Sequence, residues 1–268
     1  MKKPIILLLS LIALFSCKDK TESGMRKVSH DKKEKQLHNK NTEQKPVAVE
    51  KIDDTFEILI PREYRDFGYE NDVDKLKENW SDLYLKDGKY YLGKADYTIT
   101  KGFSECSGDS TKIINSKNNS ILFMNSPQLA IGEIKTIKIK KNKIWPKEKL
   151  KFHFENKEYT LRAEGKVLSS EKVHTDNGEE IYQNVKNYKL YISTLNSPEQ
   201  LFLEEESFND TFVELLFIGD IDKDGKPDFI FGANRDYEEE RVILYLSSKA
   251  AKGKLIKKVS EISIQFDC

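Results

Sequence analysis

The sequence predicts a mainly β fold of antiparallel strands. Three observations carry that expectation: apolar and polar residues alternate over short segments, turn residues bound those segments, and only one stretch repeats at helical spacing. The alternation is clearest where Leu150, Phe152 and Phe154 interleave with Lys151, His153 and Glu155. Strands are expected there and over 90–99, 134–139, 159–167, 188–192, 213–218, 229–231 and 242–246. Asp87-Gly88, Glu155-Asn156-Lys157 and Asp176-Asn177-Gly178 fall where hairpin connections belong. One short helix is expected near 71–85, because Val73, Leu76, Trp80, Leu83 and Tyr84 recur every three or four residues and would share a face. Trp80 and Tyr84 read as core residues.

The first residues form a unit of their own. Lys2 and Lys3 precede a largely apolar run at 5–15, too short to cross a bilayer, which needs about 20 apolar residues, and of the length expected for the apolar part of a signal peptide. Residues 1–16 therefore read as a signal peptide. Leu14-Phe15-Ser16-Cys17 resembles a lipobox, with Phe15 standing where a small or β-branched residue is usual. The resemblance implies lipidation at Cys17 and attachment to a membrane through acyl chains rather than by spanning it. Residues 17–50 are nearly all polar or charged and read as a tether that cannot bury enough surface to order itself; His30 and His38 within it read as solvated. The β-rich domain is then 51–268.

Charge narrows the partners. Lys plus Arg number 45 and Asp plus Glu 45, so the chain lacks the basic field that nucleic acid requires, and no nucleic-acid partner is expected. With Cys17 lipidated, Cys106 and Cys268 remain as an even pair in an oxidising compartment. A disulfide between them is expected, with two separate thiols as the alternative. His153, on the outward side of its strand, and His174 stand alone and read as solvated.

The most informative stretch is Gly219-Asp220-Ile221-Asp222-Lys223-Asp224-Gly225-Lys226-Pro227-Asp228. Asp220, Asp222, Asp224 and Asp228 occupy the first, third, fifth and ninth places of a loop whose sixth is Gly225, the spacing of a calcium loop. Glycine permits the sharp turn, and the Lys226 carbonyl adds a fifth oxygen. Such closely spaced carboxylates repel one another without a cation. The twelfth place is Phe231, not the glutamate an EF-hand needs, and both flanks read as strands. From Asp220 to Ala233 the segment resembles the calcium loop of FG-GAP and VCBS repeats, Asp-x-Asp-x-Asp-Gly-x-x-Asp between two strands with a tail matched by Phe231-Gly232-Ala233. The resemblance implies bound Ca2+ that stabilises a β structure rather than performing chemistry. With one copy of the loop, a full propeller is not expected.

These readings converge on a lipid-anchored secreted protein of the bacterial cell envelope, expected at the outer membrane. A non-catalytic interaction protein with a protein or glycan partner is expected. Two alternatives stand beside it: an outer-membrane assembly or structural factor, and an envelope hydrolase acting on carbohydrate or peptide with Asp236 and Glu238, Glu239 and Glu240 beside the calcium loop as acid or base.

Overall fold

A computed structural model describes residues 56–266, apart from Glu70, Pro127, Gln128, Asp176 and Asn177. The signal segment, Cys17, the tether with His30 and His38, the Asp176-Asn177 part of the third hairpin turn, and Cys268 lie outside the described residues.

Among the described residues the chain is mainly antiparallel β, with sixteen strands. In chain order these begin with β1 (Glu57–Leu59), β2 (Glu63–Arg65), β3 (Ser81–Lys86), β4 (Lys89–Lys94), β5 (Tyr97–Ser104) and β6 (Asp109–Ser116). There follow β7 (Asn119–Asn125), β8 (Gly132–Ile134), β9 (Lys149–Phe154), β10 (Lys157–Thr175) and β11 (Gly178–Thr194). The last are β12 (Ser197–Ser207), β13 (Glu214–Gly219), β14 (Asp228–Gly232), β15 (Glu239–Leu246) and β16 (Lys257–Gln265). They form four sheets, ordered β1-β7-β3-β4-β8, β2-β6-β5, β12-β11-β10-β9 and β13-β14-β15-β16, and none of these closes into a barrel or propeller.

The β13-β14-β15-β16 sheet is the middle layer, because successive residues of its strands enter two different cores. Ile230, Val242, Leu244 and Leu246 pack with Leu83, Leu92, Leu122 and Phe123 of the five-stranded sheet. Their neighbours Phe229, Phe231, Ile243 and Tyr245 pack with Tyr159, Leu161, Leu190 and Phe202 of the β12-β11-β10-β9 sheet. A strand covered on both faces has no polar side to show, which is why 229–231 and 242–246 read as continuous apolar runs. On β13 the register shifts between Leu215 and Phe217, and the extra residue, Leu216, is left partly exposed.

The helix expected over 71–85 does not form. Asp72–Lys75 makes a single 3-10 turn, capped where Asn71 Oδ1 accepts from the Val73 N–H at 3.0 Å and Asp74 Oδ2 accepts from the Asn71 N–H at 3.2 Å. From Ser81 the chain is instead β3, hydrogen-bonded to β4 on one side and β7 on the other, and Asp87 (φ 50°) with Gly88 (φ 76°) closes the tight β3–β4 hairpin. Two ladders satisfy the backbone that a helix would have satisfied internally. Val73, Leu76 and Trp80 are all buried, but through a turn and a loop, so their spacing mimicked a helical face. Trp80 is a core residue as expected, whereas Tyr84 is half-buried and stacks on Tyr91, ring centroids 5.8 Å apart. The 134–139 strand is also shorter than expected: β8 ends at Ile134, and beyond it Thr136 makes one isolated bridge to Gly219.

Candidate metal centre

The acidic loop joins β13 to β14 at one end of the middle sheet. Its entry is tightly braced. A Cβ on Gly219 would lie 2.6 Å from the Phe217 ring, 2.7 Å from the Lys135 carbonyl oxygen and 2.7 Å from the Thr136 methyl, so only glycine fits. The next residue, Asp220, donates its N–H to that same Lys135 carbonyl at 2.9 Å. Positive φ at Lys223 (61°) and Gly225 (82°) then turns the chain back, with glycine at the sharpest place as the sequence predicts.

Beneath this turn Ile221 is fully buried in the core shared with the five-stranded sheet. Asp228 is fully buried as well. Its Oδ2 accepts the Ile221 N–H at 2.8 Å, and its Oδ1 accepts the Ser247 N–H at 2.8 Å and the Ser247 hydroxyl at 3.2 Å.

On that base Asp220, Asp222 and Asp224 converge, each offering a carboxylate oxygen within 4.8 Å of the others. Asp220 is 9% exposed. Its Oδ2 accepts from the Gly225 N–H at 3.0 Å, while its Oδ1 is buried with no hydrogen-bond partner. Asp222 Oδ1 accepts from the Asp224 N–H at 3.3 Å, and its Oδ2 from the Ser248 hydroxyl. Asp224 accepts from the Lys226 N–H at 2.8 Å, from the Ser247 hydroxyl at 3.1 Å and from the Lys226 ammonium at 3.0 Å.

Electrostatics follow from this crowding. Burial pushes the Asp220 carboxyl upward, and the charges of Asp224 and Asp222 add to it against the pull of the Gly225 and Asp224 N–H groups. Burial likewise drives Asp228 well above the usual carboxylate range, with Asp222 and Asp224 pushing the same way. An all-oxygen donor set with an orphaned buried oxygen and mutually repelling carboxylates suits a hard cation, which would relieve both penalties. The Asp220, Asp222 and Asp224 group could hold a metal ion, and this geometry is compatible with calcium without singling it out.

The structure divides the expected ligand set. Asp220, Asp222 and Asp224 come together. Asp228 is not in that group; its two oxygens receive the Ile221 and Ser247 N–H groups. Ser247, Ser248 and the Lys135–Thr136 segment escaped sequence reasoning, since they join the loop only through strand pairing; the one local signal was a serine pair directly after the apolar run 242–246.

The acids considered for hydrolysis are not beside this loop. They lie in the β14–β15 connection and at the start of β15, at the opposite end of those strands. Glu239 is 1% exposed, receives the Arg235 N–H at 2.8 Å and the Ser263 hydroxyl at 2.6 Å, and pairs with the Arg235 guanidinium. Glu240 pairs with Arg62 at 2.5 Å, and Asp236 accepts from Asn209 at 2.6 Å. His153 and His174 are exposed, as expected. Cys106 is disulfide-bonded.

No family model, curated protein or solved structure matches this chain.

Proposed function

We propose that this chain is a lipid-anchored, non-catalytic interaction protein of the bacterial cell envelope, whose β domain is clipped by one calcium ion. The observation that carries the calcium part is the buried, partnerless Asp220 Oδ1 within the Asp220, Asp222 and Asp224 cluster. The loop resemblance supports this reading and implies the Lys226 carbonyl as a further ligand, while Asp228 braces the loop from beneath. Extracellular calcium modules bind at about 0.1 to 1 mM, so the site fills outside the cytosol. The clip joins β13, β14 and the end of β15, the middle layer on which both cores rest, so calcium stabilises the domain rather than a single loop. Attachment rests on the Lys2-Lys3 start, the apolar run and Cys17. Among the described residues no helix is long and apolar enough to cross a membrane. A protein or glycan of the envelope is the partner in this reading, at the outer membrane.

Thermal unfolding of the full chain in about 10 mM calcium, ten to a hundred times that Kd, and then in chelator tests the clip. A ligand that binds only the native state at ten to a hundred times its Kd adds about 1 to 3 kcal/mol, which raises the midpoint by several degrees. The Asp222→Ala, Asp224→Ala double variant should lose that increment; a parent indifferent to calcium rejects the clip. For the anchor, palmitate labelling of cells expressing the chain should mark the parent and not Cys17→Ser. Equal labelling of both would reject it.

A further inference from the structure

A cavity of about 450 Å³ lies next to the candidate metal centre, although none of the three converging aspartates lines it. Its rim includes residues of two hairpin connections, Asn156 between β9 and β10 and Asn196 between β11 and β12. Lys226 and Ser247 belong to both places: they line the cavity, and they also hold Asp224, at 3.0 Å from the Lys226 ammonium and 3.1 Å from the Ser247 hydroxyl. Lys157 and Lys254 line it from other parts of the chain, and no ion pair involves either of them among the described residues. The one carboxylate in the lining, Glu158, is held by Lys151 at 3.0 Å. The cavity thus presents ammonium groups and amide or hydroxyl donors, with its acid already neutralised.

We propose that this cavity binds a small hydroxylated oxyanion, a sugar acid or sugar phosphate, with a divalent cation at the Asp220, Asp222 and Asp224 cluster as its co-ligand. The inference rests on the calcium reading above and goes beyond it, because the metal becomes part of a binding site. Two features link the sites. In the structure the Lys226 ammonium neutralises Asp224. A cation among the three carboxylates takes over that role and releases Lys226 to the cavity, where it joins Lys157 and Lys254. A calcium ion also takes six to eight oxygens, more than three aspartates supply one by one, so it keeps coordination positions open to an anion oxygen. The buried Asp220 Oδ1 without a partner points independently to the cation. The asparagines on the rim suit the hydroxyls that flank a carboxylate or phosphate on a sugar.

Coupling between two sites is reciprocal: whatever factor calcium adds to anion affinity, the anion adds to calcium affinity. The test is calorimetric titration of the full chain with glucuronate, glucose 6-phosphate and glucose, each with and without calcium, and with calcium alone. At least one anion should bind about tenfold more tightly with calcium present, within the usual range of such couplings. It should tighten calcium by the same factor, and glucose should show no coupling. A response to glucuronate alone assigns a carboxylate and a response to glucose 6-phosphate alone assigns a phosphate; either supports the proposal. The Lys157→Ala, Lys254→Ala double variant should keep its calcium response while losing about tenfold in anion affinity, and that retained response shows that it is folded. Intact calcium binding with no calcium-coupled anion binding overturns this inference and leaves the clip standing, as does coupling that survives in the double variant. Absence of any calcium binding overturns both.

Discussion

Ser247, which directly follows β15, donates its backbone N–H at 2.8 Å to Oδ1 of Asp228, the first residue of β14. The other oxygen of the same buried carboxylate takes the Ile221 N–H at 2.8 Å. One side chain therefore closes the acidic loop on itself and ties it to the neighbouring strand, whatever occupies the cluster above it.

Asp228→Ala should accordingly destabilise the domain in calcium and in chelator alike. It orphans two buried backbone donors at about 1 to 3 kcal/mol each, an expected loss of about 2 to 5 kcal/mol in urea unfolding. The Asp222→Ala, Asp224→Ala variant should stay within about 1 kcal/mol of the parent in chelator, since those side chains mainly cap turn N–H groups that are exposed or only partly buried. A parent-like Asp228→Ala in chelator would show that the anchor carries no stability of its own.

Glu239 sets an acid limit. Burial by itself would raise its carboxyl, but donation from Arg235 and Ser263 and the Arg235 charge outweigh that and bring it from the ordinary 4.5 down to about 2. A depressed carboxyl contributes stability that is present above its unfolded value and is lost as pH falls through the folded one. The window is therefore about pH 4.5 to 2, and the loss is at most about 3 kcal/mol. Urea midpoints of the parent and of Glu239→Gln should differ at pH 7, with the variant weaker, and converge toward pH 2. Curves that stay parallel across that window contradict the assignment.

Asp82 has the opposite sign. It is fully buried in β3, its Oδ2 accepts from the Asn118 amide at 2.9 Å, and its Oδ1 has no partner. Burial raises its carboxyl, with Asp96 adding and Ser120 and Asn118 opposing. A raised carboxyl contributes stability below its unfolded value that is lost as pH rises through the folded one. Asp82→Asn, similar in shape and uncharged, should gain about 1 kcal/mol at pH 7 by removing a poorly compensated buried charge. At pH 3 the gain should vanish; a gain of the same size at both pH values would locate its origin elsewhere.

Most of what was legible in the sequence was local. The β9 strand could be read because Phe152 and Phe154 are buried on one side and His153 is exposed on the other. The acidic loop could be read because its turn chemistry and its three converging carboxylates fall within a few residues of one another. The helix expectation failed for a non-local reason: Val73, Leu76 and Trp80 are buried at helical spacing, but β4 and β7 claim the backbone from Ser81 onward on both sides.

The sequence by itself determined the β class, the tight turn at Asp87-Gly88 and the phase of the acidic loop, because pleat period, positive φ and turn geometry are properties of neighbouring residues. Tertiary structure alone decided that β14 and β15 lie between two cores, that Ser247 meets Asp228, and that Lys157, Lys226 and Lys254 line one cavity. Those relationships depend on which strands pair and which sheets stack, and such choices are made by burial and backbone hydrogen bonding between residues far apart in the chain.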